Sequence, residues 1–138
     1  MLFLHGGLGA LREMAPLAAE FPKARCLLMD TRGHGASSPG QGRLTYQHLA
    51  DDAAAVIAAL GLDGGPGNYP VGIERIALPV LILNGDADEL VSRQETVALA
   101  ETIPGAALAL IPYAGHMVHM EQSGLVAHAI RAMLDRLA

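Results

Sequence analysis

Four short apolar runs alternate with helical patterns along the chain, and this alternation limits the possible folds more than any other feature. The runs are residues 1–4, 25–30, 80–84 and 107–111, and any charges in them stand at their ends. Such runs are typical of strands buried on both faces. Between them, apolar residues recur three and four positions apart, as in helices with one buried face. The pattern predicts an α/β fold in which a parallel sheet of about four strands is flanked by helices on both faces.

The length and the linker signals predict a single domain in two parts. The chain has 138 residues, 51% of them hydrophobic, which is enough for one core. Residues 63–72 contain Gly64, Gly65, Gly67 and two prolines, a composition that favours neither helix nor strand. We therefore expect an N-terminal part at 1–62, a linker at 63–72 and a C-terminal part at 73–138.

Composition argues against several classes of partner. The formal net charge is −5 and there is no basic run, so nucleic acid is not expected as a partner. No apolar stretch is long enough to span a bilayer, and no secretory signal pattern opens the chain. Cys26 is the single cysteine and cannot form an internal disulfide, which fits a reducing compartment. We expect a cytoplasmic protein that binds a small molecule.

Capping signals mark where several helices begin. Thr45 precedes a helical pattern that Gly61 closes, and Ser92 with Glu95 has the spacing of a capping box. The clearest helix is the last one, where seven apolar residues share one stripe. They are Leu125, Val126, Ala129, Ile130, Met133, Leu134 and Leu137.

Each predicted strand ends in a polar cluster. The clusters are His5-Gly6-Gly7, the Asp30–Ser37 loop, the Gly85–Val91 loop and the Gly115–Glu121 loop. Parallel strands bring their carboxyl ends to one edge of a sheet, which is where ligands bind in such folds. The amides of the first cluster could bind a developing oxyanion, or its glycines could simply serve a tight turn. The four clusters together favour a functional site.

These motifs, in this order, resemble the α/β-hydrolase superfamily, in its lid-bearing esterase, C–C hydrolase and haloperoxidase-like branch. The resemblance extends over nearly the whole chain apart from residues 63–72. It implies that Asp88, three residues after a glycine, is the acid of a catalytic triad. It also implies that His116, 28 residues later in a Gly-His pair, is the base. The other implied site residues are the oxyanion-hole donors Gly7 and Leu8 and the lining residues His5, Gly6 and His34.

Other readings of the same residues stay open from the sequence. Asp88 could be a carboxylate at a helix start, and His116 could be an ordinary loop histidine. Asp86 is more typical of a turn former than of a second acid. The spacing of His116 and His119 with Glu121 is weak evidence for a metal site, so no metal is expected. The resemblance implies no cofactor, because triad chemistry uses none.

Two charged features are expected to be structural. We expect Arg32 to tie its own loop together, and Asp51-Asp52 to form a solvated helix face.

The nucleophile of the family is missing from this sequence. The resemblance places it in a Gly-x-Ser-x-Gly elbow after the helix that ends near residue 62, and no such motif occurs. None of the serines lies in an elbow-like turn; they are Ser37, Ser38, Ser92 and Ser123. The hairpin that precedes the His-Gly strand in the family is absent as well. The resemblance therefore implies an internal deletion and a late start.

The deletion has a structural and a functional consequence. Without the two strands of the missing segment, we expect the sheet to close in the order second, first, third, fourth. A homodimer paired through exposed sheet edges is the alternative. For function, the resemblance implies a hydrolase of esters or related small acyl or carbonyl substrates, with two of three triad residues remaining. The alternative is a non-catalytic remnant or a small-molecule binding module.

Overall fold

The computed structural model describes residues 1–61 and 78–137 and contains four strands and five α-helices there. The strands are β1 (Leu2–Leu4), β2 (Leu27–Met29), β3 (Leu81–Gly85) and β4 (Ala107–Ile111). The helices are α1 (Ala15–Ala19), α2 (Tyr46–Ala59), α3 (Arg93–Thr102), α4 (Val118–Glu121) and α5 (Ser123–Asp135). A 3₁₀ helix at Leu11–Met14 leads into α1. The predicted linker at 63–72 lies outside the described residues.

The strands form two parallel pairs. β1 pairs with β2, with Phe3 opposite Leu28, and β3 pairs with β4, with Leu83 opposite Ala109. The sheet order predicted from the sequence is wrong for the described residues, because no β1–β3 pairing is found among them. Helices join the two pairs instead, since α1 packs against both α4 and α5.

One core is shared by the two parts of the chain. Phe3, Leu17 and Phe21 of the N-terminal part belong to the same buried cluster as Val126 and Ala127 of α5. These side chains have at most 9% of their surface exposed. Burial of apolar surface between α1 and α5 therefore holds the two strand pairs in one body.

Arg131 of α5 reinforces this contact from the surface. Its guanidinium lies 5.5 Å from the ring centroid of Phe21, and its Nη1 donates to the carbonyl of Glu20 at 3.0 Å. A cation over an aromatic face adds to the attraction between these elements.

The strands are less covered than the sequence suggests. Leu4 of β1 is 44% exposed and Leu108 of β4 is 37% exposed, so burial on both faces is not found. The physical reason is that the sheet is two strands wide in each part of the described chain, which leaves strand faces and edges incompletely covered.

The predicted capping signals are confirmed. Thr45 Oγ1 accepts the N–H of His48 at 3.2 Å, and Gly61 after α2 has φ +60°. Ser92 and Glu95 form the reciprocal capping box at the start of α3. Across 1–61 and 78–137, none of the helices combines the length and apolarity that a membrane crossing requires.

Candidate active site

The loops after β3 and β4 bring Asp88 and His116 into contact. His116 Nδ1 lies 3.0 Å from Asp88 Oδ2. The other carboxylate oxygen of Asp88 accepts the N–H groups of Leu90 at 2.8 Å and Val91 at 3.0 Å. The side chain of Asp88 is 2% exposed, whereas that of His116 is 48% exposed. The Asp88 carboxylate is thus fixed beneath an imidazole that faces solvent.

The protonation state of this pair follows from its surroundings. Burial raises the pKa of the Asp88 carboxyl, but the amides of Val91 and Leu90 and the His116 side chain outweigh it. The net pKa is lowered from 3.8. Asp88 is therefore ionised at neutral pH and can only accept hydrogen bonds. An N–H on His116 Nδ1 can donate to this carboxylate, and that tautomer of the imidazole presents Nε2 as a proton acceptor.

Backbone hydrogen bonds hold the two loops together. The N–H of Asp86 donates to the carbonyl of Ile111 at 3.0 Å, and that of Ala87 donates to the carbonyl of Ala114 at 2.9 Å. The Asp86 carboxylate accepts the N–H of Ala114 at 3.4 Å, which agrees with its predicted turn role. At Gly85, a Cβ would overlap the carbonyl oxygen of Ala114. Residue 85, where β3 leads into the loop that carries Asp88, must therefore be glycine.

A second set of hydrogen bonds links the predicted site residues of the N-terminal part. His5 is 8% exposed, and its Nε2 accepts the N–H of Thr31 at 3.1 Å. Because Nε2 accepts, the proton is on Nδ1, which donates to the carbonyl of Gly6 at 2.7 Å. The Thr31 hydroxyl lies 3.2 Å from His5 Nε2 and 3.1 Å from His34 Nδ1. Thr31 therefore bridges the two imidazoles.

His34 engages one of the two predicted oxyanion donors. The N–H of Leu8 donates to His34 Nε2 at 3.3 Å. No comparable bond is found for the N–H of Gly7 within the described part of the chain. Leu8 is 99% exposed and has φ +62°, an uncommon backbone conformation for a residue with a side chain. In this arrangement the Gly7 amide is free and the Leu8 amide is not.

A cavity of about 820 Å³ lies beside this network. Residues 4–8, Thr31 and His34 form one side, and residues of the 43–53 stretch form the other. Asp88 and His116 do not line it. The predicted site residues thus form two groups, one around the His116–Asp88 pair and one around the His5–Thr31–His34 network.

His119 and Glu121 do not form a metal site with His116. Among residues 1–61 and 78–137, no three His, Cys, Asp or Glu side chains are grouped as metal ligands would be. Burial lowers the pKa of His119, an effect that nearby Glu13 opposes and His116 reinforces. The Nε2 atom of His119 is buried and has no hydrogen-bond partner in the described structure. The carboxylate of Glu121 instead binds backbone amides beside His116.

The expectations for Arg32 and Asp52 were wrong. Arg32 does not bind its own loop but forms a bidentate pair with Asp52 of α2, with Nε 2.6 Å from Oδ2. The hydrogen bond to Asp52 raises the pKa of Arg32, and the same bond lowers that of Asp52. Asp52, which the sequence predicts to lie on a solvated helix face, therefore anchors α2 to the loop after β2.

Two residues of this region were not identified as site residues from the sequence. Thr31 bridges His5 and His34, and Glu121 binds the turn that carries His116. The position of Thr31 directly after Asp30, in a strand-end cluster, is a signal that could have indicated it. For Glu121 the sequence indicates only a weak metal-ligand spacing, since bonds from its carboxylate to backbone amides have no sequence pattern.

Comparisons with known proteins agree with this architecture. A family model described as the alpha/beta hydrolase fold matches residues 1–65. A thermophilic esterase from Thermogutta terrifontis superposes with a TM-score of 0.85 at 19% identity, covering 98% of this chain and 89% of that one. A predicted CIB-like hydrolase from Thermoplasma acidophilum gives 0.78 at 20%, covering 96% and 84%. A hydrolase from Pseudomonas aeruginosa gives 0.76 at 17%, covering 91% and 85%. No curated protein matches the sequence.

Proposed function

We propose that this chain, which has the α/β-hydrolase fold but no Gly-x-Ser-x-Gly motif, is a weak hydrolase of small esters or related acyl compounds. His116 is the proposed base and Asp88 its orienting acid. The observation that carries the proposal is the 3.0 Å contact between His116 Nδ1 and Asp88 Oδ2. Esters are the first substrate class to test because one structural neighbour is an esterase.

The proposed reaction uses water in place of the missing serine. His116 Nε2 takes a proton from a water molecule, and the resulting hydroxide attacks the carbonyl carbon of the ester. The free N–H of Gly7 is the proposed donor to the oxyanion, and the N–H of Leu8 would join it if His34 released that amide. The imidazolium then returns its proton to the leaving alkoxide, which gives a carboxylic acid and an alcohol.

The absent nucleophile sets the expected scale of the rate. Triad enzymes without their nucleophile retain about 10³–10⁴-fold acceleration over water, from the oxyanion hole and binding. This chain has its acid–base pair, but His116 does not line the cavity beside Gly7 and Leu8. We expect a rate at or below the lower end of that range.

The test is hydrolysis of p-nitrophenyl acetate, with histidine variants as controls. Free imidazole groups attack this ester themselves, so a decrease in His116→Ala alone would be ambiguous. His128→Ala is the matched control because His128 is an exposed histidine of α5. We expect His116→Ala to abolish turnover above background and His128→Ala to retain it. Equal decreases in the two variants would contradict a specific role for His116.

A binding function is the second candidate, and the cavity of about 820 Å³ favours it. That volume is within the usual range for small-molecule sites. Apolar side chains of Leu4, Leu44 and Leu49 line it together with the polar His5 and Thr31. No turnover, combined with saturable binding of an ester or carboxylic acid that perturbs the NMR signals of these residues, would favour a binding module.

We also propose that two copies can pair through the uncovered strand edges. The basis is the arrangement of β1–β2 and β3–β4 as separate two-stranded sheets in the described residues, because open edges tend to add strands. Sedimentation equilibrium provides the test: a mass that stays at 14.4 kDa at all concentrations would refute pairing.

A further inference from the structure

Glu121 binds the backbone on both sides of His116. Its Oε2 accepts the N–H of Gly115 at 2.8 Å, and its Oε1 accepts the N–H of Met117 at 3.2 Å. The backbone N–H of Glu121 also donates to the carbonyl of Met117 at 3.0 Å. Hydrogen bonds from amides to a carboxylate are charge-assisted and stronger than those between neutral groups. One side chain thus ties together the peptide units that flank the proposed base.

The absence of a side chain at residue 115 permits this contact. A Cβ on Gly115 would lie 3.3 Å from Oε1 of Glu121, closer than most Cβ atoms approach a neighbour, and 3.5 Å from Oε2, which is an ordinary contact distance. The carboxylate therefore sits directly against the backbone of Gly115. An alanine there would displace it by a few tenths of an ångström.

The imidazole of His116 has little else to position it. Its side chain is 48% exposed, and its bond to Asp88 is the one side-chain hydrogen bond it makes in the described structure. The geometry of that bond therefore depends on where the backbone of residues 115–117 holds the Cα of His116. A shift of about 1 Å at such a residue is enough to disrupt a catalytic arrangement.

We propose that Glu121 is a positioning residue for His116, which fixes the flanking peptide units so that Nδ1 stays on Asp88. Its effect on turnover rests on the proposed function, but the positioning itself can be measured without turnover. The claim requires two acceptor oxygens. Glutamine, which has nearly the same size, offers one acceptor and presents an NH₂ group to the second amide.

The experiment compares Glu121→Gln with Glu101→Gln by NMR at neutral pH. Glu101 is an exposed residue of α3 without a side-chain hydrogen bond in the described part. Glu101→Gln therefore removes the same charge as Glu121→Gln without removing a contact to the backbone. Amide hydrogen exchange reports on Gly115 and Met117, and ¹⁵N shifts of the imidazole report the tautomer of His116. Asp88→Asn, which can place an NH₂ donor against Nδ1, shows the signal of the opposite tautomer, with the proton on Nε2.

For Glu121→Gln we expect exchange at both amides to be about tenfold faster, since a charge-assisted bond is lost at each. We also expect the His116 tautomer signal to shift towards that of Asp88→Asn. Glu101→Gln should match the wild type in both measurements. Unchanged exchange at Gly115 and Met117 would overturn the proposal, as would faster exchange with an unchanged His116 tautomer.

A second variant covers the case in which Glu121→Gln fails to fold. Gly115→Ala keeps the carboxylate but crowds it, and we expect the same two changes at smaller amplitude; their absence would overturn the proposal. The outcome is separable from that of the proposed function. A wild-type chain without esterase turnover would refute the hydrolase, and the NMR comparison would still decide the role of Glu121.

Discussion

Replacing Gly85 with alanine tests whether the close approach of the β3 and β4 loops builds the candidate site. A Cβ at this position would lie well under 3.0 Å from the carbonyl oxygens of Ala114 and Gly115. These are backbone atoms that cannot rotate away. One of them accepts the N–H of Ala87 at 2.9 Å, so relief of the clash also strains that bond. The loop that carries His116 must therefore move.

The expected cost follows from these two effects. Overpacking a tight site costs about 1–3 kcal/mol. Weakening one backbone hydrogen bond costs about 0.5–1.5 kcal/mol more. We expect Gly85→Ala to lower the free energy of unfolding by about 2–4 kcal/mol, which at an m-value of about 2 kcal/mol/M lowers the urea midpoint by about 1–2 M.

The measurement is urea unfolding followed by circular dichroism, with Gly124→Ala as the matched control. No heavy atom lies within 4 Å of a Cβ built on Gly124, which is in α5. Alanine there should raise stability by up to about 1 kcal/mol because it favours the helix. The His116 tautomer should also change in Gly85→Ala alone. A Gly85→Ala midpoint equal to that of the wild type would refute the reasoning.

Three further predictions concern groups elsewhere in the fold. Burial, reinforced by His116 and opposed by Glu13, lowers the pKa of His119 below its ordinary 6.5, so the unfolded chain protonates first as the pH falls. The free energy of unfolding should therefore decrease as the pH falls below about 6.5, at a higher pH than the one that protonates Asp88. In urea titrations at pH 7.5 and 5.5, His119→Leu should show a smaller difference between the two pH values than the wild type. Thr45→Ala should cost about 1 kcal/mol through loss of the α2 cap, while Thr45→Ser should cost much less by the same assay. A fluorophosphonate probe should leave all four serines unlabelled by mass spectrometry; a labelled serine would show that an activated nucleophile exists.

The local parts of the fold could be predicted from the sequence because local chemistry determines them. Strand β4 has the predicted bounds Ala107–Ile111, and the caps at Thr45 and Ser92 lie where expected. A hydroxyl three residues before an N–H can satisfy that donor in almost any tertiary setting. By contrast, the arrangement of β1–β2 and β3–β4 as two separate pairs depends on the contacts of α1 with α4 and α5, which join residues about 100 or more positions apart. No local pattern encodes such contacts.

The candidate site likewise has features that the sequence predicts and features that it does not. The proximity of Asp88 and His116 could be anticipated because parallel strands place their carboxyl ends at one edge, and β3 and β4 do pair in parallel. The position of Thr31 in a strand-end cluster is a signal in the sequence, but its bridging role and the role of Glu121 depend on distances that only the folded chain sets. The same limit explains the error about Asp52, whose partner Arg32 lies 20 residues away in sequence.

The Leu8 amide is a predicted oxyanion-hole donor, but in the folded chain it already donates to His34. A left-handed conformation costs a residue with a side chain about 1–2 kcal/mol, and Leu8 holds φ +62° with its side chain 99% exposed. No apolar burial compensates for that cost. The hydrogen bond from its N–H to His34 Nε2 supports the turn, together with the bonds that the Gly6 carbonyl accepts from Gly9 N–H and His5 Nδ1. The interaction that stabilises this loop thus occupies one amide that oxyanion binding would need, so His34 must release Leu8 before both amides can act together.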